Sequence, residues 1–118
     1  MLKEEIDRYV VSVKEKADEH DKWVASHNYP NRIVIAANRY EDGLMILGVR
    51  HNGIEMHKQL ALLMSLGKTP TGKPVQGFMD IFGQFKTREE AWIIANEAGQ
   101  ILPGRDKTPG TLYSETIY

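Results

Sequence analysis

Arg39, Arg50, Arg88 and Arg105 are the side chains of this 118-residue sequence best suited to hold an anion. A guanidinium pairs with phosphate oxygens through two parallel N–H groups, and an aromatic ring beside it can stack on a base. Rings stand nearby in the sequence, because Phe78, Phe82 and Phe85 fall within the run QGFMDIFGQF. Arg88 sits where a helix should begin, and free backbone N–H groups there favour an anion. Arg105 lies in a Gly/Pro-rich loop able to close over a ligand. Asp80, Gln84 and Arg88 recur every four residues. The first two are suited to the edge of a base or a ribose hydroxyl. His51 follows Arg50 at a strand end. The plainer alternative makes the three phenylalanines core and the arginines surface ion pairs, and spacing alone leans that way.

Other chemistries find less support. The histidines at 20, 27, 51 and 57 have no HExxH spacing, and without cysteine or a carboxylate cluster no metal site is expected. There is no G-x-S-x-G elbow. The run GKTPTGK resembles a phosphate loop only until Pro74 follows its second lysine. Neighbouring carboxylates such as Glu41/Asp42 and Glu89/Glu90 are usually solvated. The expectation is a binding protein with no catalytic set, metal or cofactor. Fifteen basic residues against 16 acidic ones give a net charge of −1, which offers no bulk grip on nucleic acid. No apolar run approaches the roughly 18 residues that span a bilayer. The charged N-terminal stretch lacks the apolar middle of a signal peptide, so a cytoplasmic protein is expected.

These residues must be carried by elements, and the length suits a single domain over 1–118. Leu2, Ile6, Tyr9, Val10, Val13, Ala17 and Val24 recur at helical spacing, predicting an amphipathic N-terminal helix within 1–27. It would cover the core or pack on a neighbouring subunit, and both readings stay open. Pro30 disfavours helix at Tyr29. Residues 32–118 are expected to form the α+β core that carries the candidate ligand-binding residues. Strands over Arg32–Tyr40 and Leu44–His51 should close on a two-residue Asp42-Gly43 turn. Asn52-Gly53 turns the chain into a helix of about 12 residues stopped by Gly67. A polar loop over 67–74 leads to two short strands holding Phe78, Phe82 and Phe85, with Gly83 near their turn. Thr87 and Glu90 have capping-box spacing for a helix that ends at Gly99. After a loop over 102–110, TLYSETIY reads as a strand or extended tail. The order predicts an α+β fold, a small antiparallel sheet with flanking helices.

Three blocks taken together carry a resemblance: RIVIAANRY…GLMILGVRH, GFMDIFGQFKTREEAWIIANEAGQI and GTLYSETIY. Over roughly residues 32–118 the chain resembles the phage Thoeris anti-defence 1 family. Its members are sponges for the cyclic ADP-ribose isomers made by bacterial TIR-domain defence proteins. The resemblance implies a homo-oligomer built from dimers, working in the cytoplasm of an infected bacterial host and keeping its ligand intact. Some members form hexamers, as trimers of dimers, that also hold cyclic oligonucleotides at a separate site. It further implies that Phe78 or Phe82 stacks on adenine, with Arg88 and Arg105 on phosphates. Asp80 and Gln84 would bond base edge or ribose. Arg50 and His51 would serve a neighbouring subunit or the second site; Arg39 stays a ligand-binding candidate from its place late in the first strand.

A second likeness is to plant-type AP2 domains, in which a small sheet reads the DNA major groove. The Gly-Phe and Gly-x-Phe strands followed by TREEA carry it. Residues 76–101 hold Lys86 and Arg88 against Asp80, Glu89, Glu90 and Glu97, a balance that counts against a duplex-binding face and leaves this reading as the alternative.

Overall fold

The computed structural model describes residues 2–27 and 30–118. The chain divides into two compact units, one reaching Pro30 and the other running from Asn31 to Tyr118.

The first unit is helix α1 (Lys3–Ser26), as the periodicity predicts. Glu4 and Glu5 occupy its first turn, where acidic groups complement the dipole. At its end the His27 amide returns to the carbonyls of Trp23 and Val24. None of the helix's described residues is buried. The expected action of Pro30 on Tyr29 lies outside the described residues.

The second unit is the expected α+β fold. It comprises β1 (Ile33–Arg39), β2 (Met45–Gly48), α2 (Ile54–Ser65), β3 (Val75–Asp80), β4 (Phe85–Thr87), α3 (Arg88–Glu97) and a short α4 (Ser114–Ile117). The strands form one sheet in the order β2-β1-β3-β4, with every pairing antiparallel.

Both hairpins close by the same device, which corrects the two-residue turn expected at Asp42-Gly43. Tyr40 N–H donates to Leu44 O at 2.8 Å, Gly43 N–H donates to Tyr40 O at 2.9 Å, and Gly43 takes φ +86°. The loop therefore has three residues, 41–43, the last in the left-handed region. Residues 81–83 repeat this: Asp80 N–H reaches Gln84 O at 3.0 Å and Gly83 N–H reaches Asp80 O at 3.0 Å. Each loop is braced by an aspartate. Asp42 accepts the Leu44 amide, and Asp80 accepts those of Phe82 and Gln84. Phe82 thus lies in the loop rather than in a strand.

Helix ends follow local rules closely. Thr87 and Glu90 form the capping box in full. At the end of α2, Gly67 N–H donates to Met64 O and Lys68 N–H to Leu63 O, the paired bonds of a Schellman ending. Gly99 and Gln100 close α3 the same way on Asn96 and Ala95.

The core gathers Ile33, Ala36, Ile46, Met56, Phe78, Ala91, Ala95, Leu112 and Ile117. Simple alternation would put Ile33 and Ala36 on opposite faces. A register shift between Ile33 and Ile35 returns both to the core. Gly77 is demanded by space, since a Cβ there would collide with the Lys86 carbonyl and the Phe85 ring. The C-terminal segment is a correction: TLYSETIY is neither strand nor tail, because 114–117 turn into α4 and Leu112, Ser114, Thr116 and Ile117 are buried. Leu102 N–H donates to Thr116 O at 2.9 Å and Leu112 N–H to Arg88 O at 2.9 Å, stitching this segment to the preceding loop and to α3.

Candidate functional site

A hollow of about 370 Å³ opens beside the C-terminal segment, lined by Arg105, Lys107, Thr108, Tyr113, Glu115 and Thr116. Its cations come from the 102–110 loop. That loop is anchored through Asp106, whose carboxylate oxygens accept from Trp92 Nε1 of α3 at 3.1 and 3.2 Å. Asp106 points toward α3 while its neighbours Arg105 and Lys107 line the hollow. The ring and carboxylate of the site come from Tyr113 and Glu115, two residues apart, whereas Leu112, Ser114 and Thr116 are buried between and beside them.

Arg88 supports this wall from behind. Its Nη1 donates to Leu112 O at 2.7 Å, its Nη2 donates to Gln76 Oε1 at 2.6 Å, and its Cζ lies 4.6 Å from the Tyr113 ring centroid. Burial lowers the Arg88 pKa from its ordinary value, against the opposing pull of Tyr113 and Glu115. His51 lies within the same electrostatic neighbourhood. Its Nε2 is 2.7 Å from Gly77 O and its ring meets Phe78 edge-on at 5.0 Å. Burial first, then the charge of Arg88, lowers the His51 pKa, while the Gly77 bond and Glu115 act the other way.

The residues singled out from sequence separate into three groups. Arg88 and Arg105 both meet Tyr113, one packed on its ring and the other sharing the hollow's lining. Phe78 is 0% exposed, so its ring has no open face for a base. Asp80 is 3% exposed, with its carboxylate taken by two loop amides and, at 3.0 Å, by Asn31 Nδ2. Asp80 and Gln84 pair at one end of β3, while Arg88 touches Gln76 near the other. Four strand residues, about 13 Å, separate those ends. The four-residue spacing therefore does not place the three on one surface. Phe82 and Gln84 are half-buried at that far hairpin.

Arg39 lies over Phe85 at 4.4 Å and lines a different hollow of about 350 Å³ with Glu41 and Lys73. Arg50 donates to Tyr118 O at 2.5 Å, its Cζ 5.3 Å from the Tyr118 ring. Among the described residues no group of three His, Asp or Glu could hold a metal, and no helix is long and apolar enough to cross a membrane. Sequence reasoning missed Lys107, Tyr113 and Glu115, which the structure places in the lining of the hollow. The signal was the alternation in LYSET, which places a ring and a carboxylate outward between buried residues.

A family model described as phage T4 y16D protein matches residues 32–118. The chain belongs to this phage protein family. No curated protein and no solved structure matches it. The y16D match takes in every strand of the sheet, helices α2 to α4 and the whole lining of the hollow, and it leaves α1 outside.

Proposed function

We propose that this phage protein binds and sequesters a cyclic nucleotide of the cyclic ADP-ribose type without cleaving it, so disarming a host defence signal. The observation that supports this reading is the hollow itself, where two cations, a tyrosine ring and a carboxylate converge. Arg105 and Lys107 suit the phosphates, Tyr113 suits a base, and Glu115 can accept from ribose hydroxyls. A volume of about 370 Å³ falls in the range of small-ligand sites. Related cyclic oligonucleotides carry the same groups and are the second ligand class. The protein works as a homo-oligomer in the cytoplasm of the infected bacterium.

Calorimetric titration with cyclic ADP-ribose isomers at micromolar protein tests the proposal. Heat of binding, followed by recovery of unchanged ligand from the heat-denatured complex by chromatography, is the expected result. No heat would overturn it, and recovery of a cleaved product would make the protein an enzyme. Arg105→Ala with Lys107→Ala should weaken binding about a hundredfold, taking each charge-assisted contact at about 1.5 kcal/mol. A duplex-DNA titration in the same buffer should give nothing; tight binding that falls steeply with salt would favour the AP2-like alternative.

A further inference from the structure

Tyr113 keeps 41% of its surface exposed although a guanidinium packs on its ring. An exposed tyrosine at the edge of a hollow would ordinarily move among rotamers, and a moving ring makes a poor surface for stacking. Three contacts oppose that motion. Arg88 holds the ring by a cation–π contact at 4.6 Å and holds the preceding backbone through Leu112 O at 2.7 Å. Arg88 is held in turn, since Gln76 Oε1 accepts from its other terminal nitrogen at 2.6 Å. Gln76 lies in β3, paired with Asn38 of β1, so the chain of contacts ends in the middle of the sheet. Neither Gln76 nor Arg88 is among the described residues lining the hollow.

We infer that Gln76 and Arg88 are positioning residues that fix Tyr113 as a stacking platform, and that the hollow thereby selects anions carrying an aromatic base over bare phosphates. This rests on the reading of the hollow as a nucleotide site. In it Arg88 acts as the strut behind the ring, and Arg105 and Lys107 take the phosphates. The base stacks on Tyr113 rather than on a phenylalanine. Arg88 is suited to the strut because its planar fork serves two acceptors and a ring together, which a lysine ammonium cannot do.

The test compares cyclic ADP-ribose with inorganic pyrophosphate, which has the anion and no base, by calorimetry on the full chain. Gln76→Leu should weaken cyclic ADP-ribose about tenfold, the loss expected for one unsettled stacked base, and leave pyrophosphate within about twofold. Gln76→Glu keeps an oxygen acceptor for Arg88 and should restore the wild-type preference. Tyr113→Ala should reproduce the Gln76→Leu pattern. In ligand-free protein, the Tyr113 ring resonance, assigned by its absence in Tyr113→Phe, should move in Gln76→Leu and return in Gln76→Glu. A Gln76→Leu protein with wild-type preference, or with an unmoved Tyr113 resonance, would overturn the inference while leaving the nucleotide site standing. Wild-type protein that binds neither probe would bring down both.

Discussion

His51 is wedged between the Gly77 carbonyl and the edge of Phe78, where burial and the Arg88 charge both disfavour its protonated form. Its folded pKa therefore lies below the ordinary 6.5 of the unfolded chain. Well above pH 6.5 both states are neutral and the native contact is kept in full. As pH falls below that value the unfolded chain takes up a proton first, so stability is lost. The Tm of the wild type should fall between pH 7 and 5 more steeply than that of His51→Gln; parallel curves would remove His51 as the cause. Asp80 poses a different residue-scale question, because its type suggested a ligand contact and its setting makes it a loop brace. Asp80→Ala strands the amides of Phe82 and Gln84, which should cost about 1–3 kcal/mol in denaturant unfolding. Affinity for cyclic ADP-ribose should stay unchanged. Arg105 could be singled out as a candidate because a cation in a Gly/Pro loop has few structural uses, and the structure puts it in the lining of the hollow. Phe78 and Asp80 were misplaced for a shared reason: residue type states what a side chain can do, and burial decides whether it is free to do it.

At the scale of elements, what a few adjacent residues decide could be read in advance. The Thr87–Glu90 box and the Gly67 and Gly99 endings are settled within one helical turn. Bridges over long sequence separation could not be read. Gln100 offers Ile33 an acceptor and a donor at 2.8 Å each, standing in for a strand neighbour across 67 residues. Gln59 does the same for Leu47 on the edge strand β2. TLYSETIY looked like a strand because Tyr, Thr and Ile favour one. Burial of both Leu112 and Ile117 instead requires the chain to coil between them. The loop bearing Arg105 and Lys107 likewise depends on a remote partner, the Trp92 indole. Trp92→Phe keeps a ring and removes the N–H donated to Asp106. Amide hydrogen exchange at residues 104–109 should then accelerate, and ligand affinity should drop about fivefold as the loop loses one charge-assisted bond. Unchanged exchange would mean that the loop is held by its backbone turns alone.

At the scale of the whole molecule, α1 is a compact unit of its own that carries an apolar stripe. Ile6, Tyr9, Val10 and Val13 form one apolar stripe, yet they are 45%, 67%, 44% and 45% exposed. The family match begins at residue 32 and does not include this helix. A single amphipathic helix 24 residues long cannot bury its own apolar stripe, a cost that association would relieve. In the homo-oligomer proposed above, a second copy supplies that cover. Light scattering on the full chain should then give a mass at a multiple of 13.4 kDa. Replacing Ile6 and Val13 together by glutamate alters exposed positions only, so α3 and the sheet should keep their thermal unfolding while the mass falls toward 13.4 kDa. An unchanged mass would take α1 out of the assembly and move the subunit contact to the 31–118 unit. If dissociation also weakened cyclic ADP-ribose binding, residues of the neighbouring copy would contribute to the ligand site; unaltered binding would show the hollow to be complete within one chain.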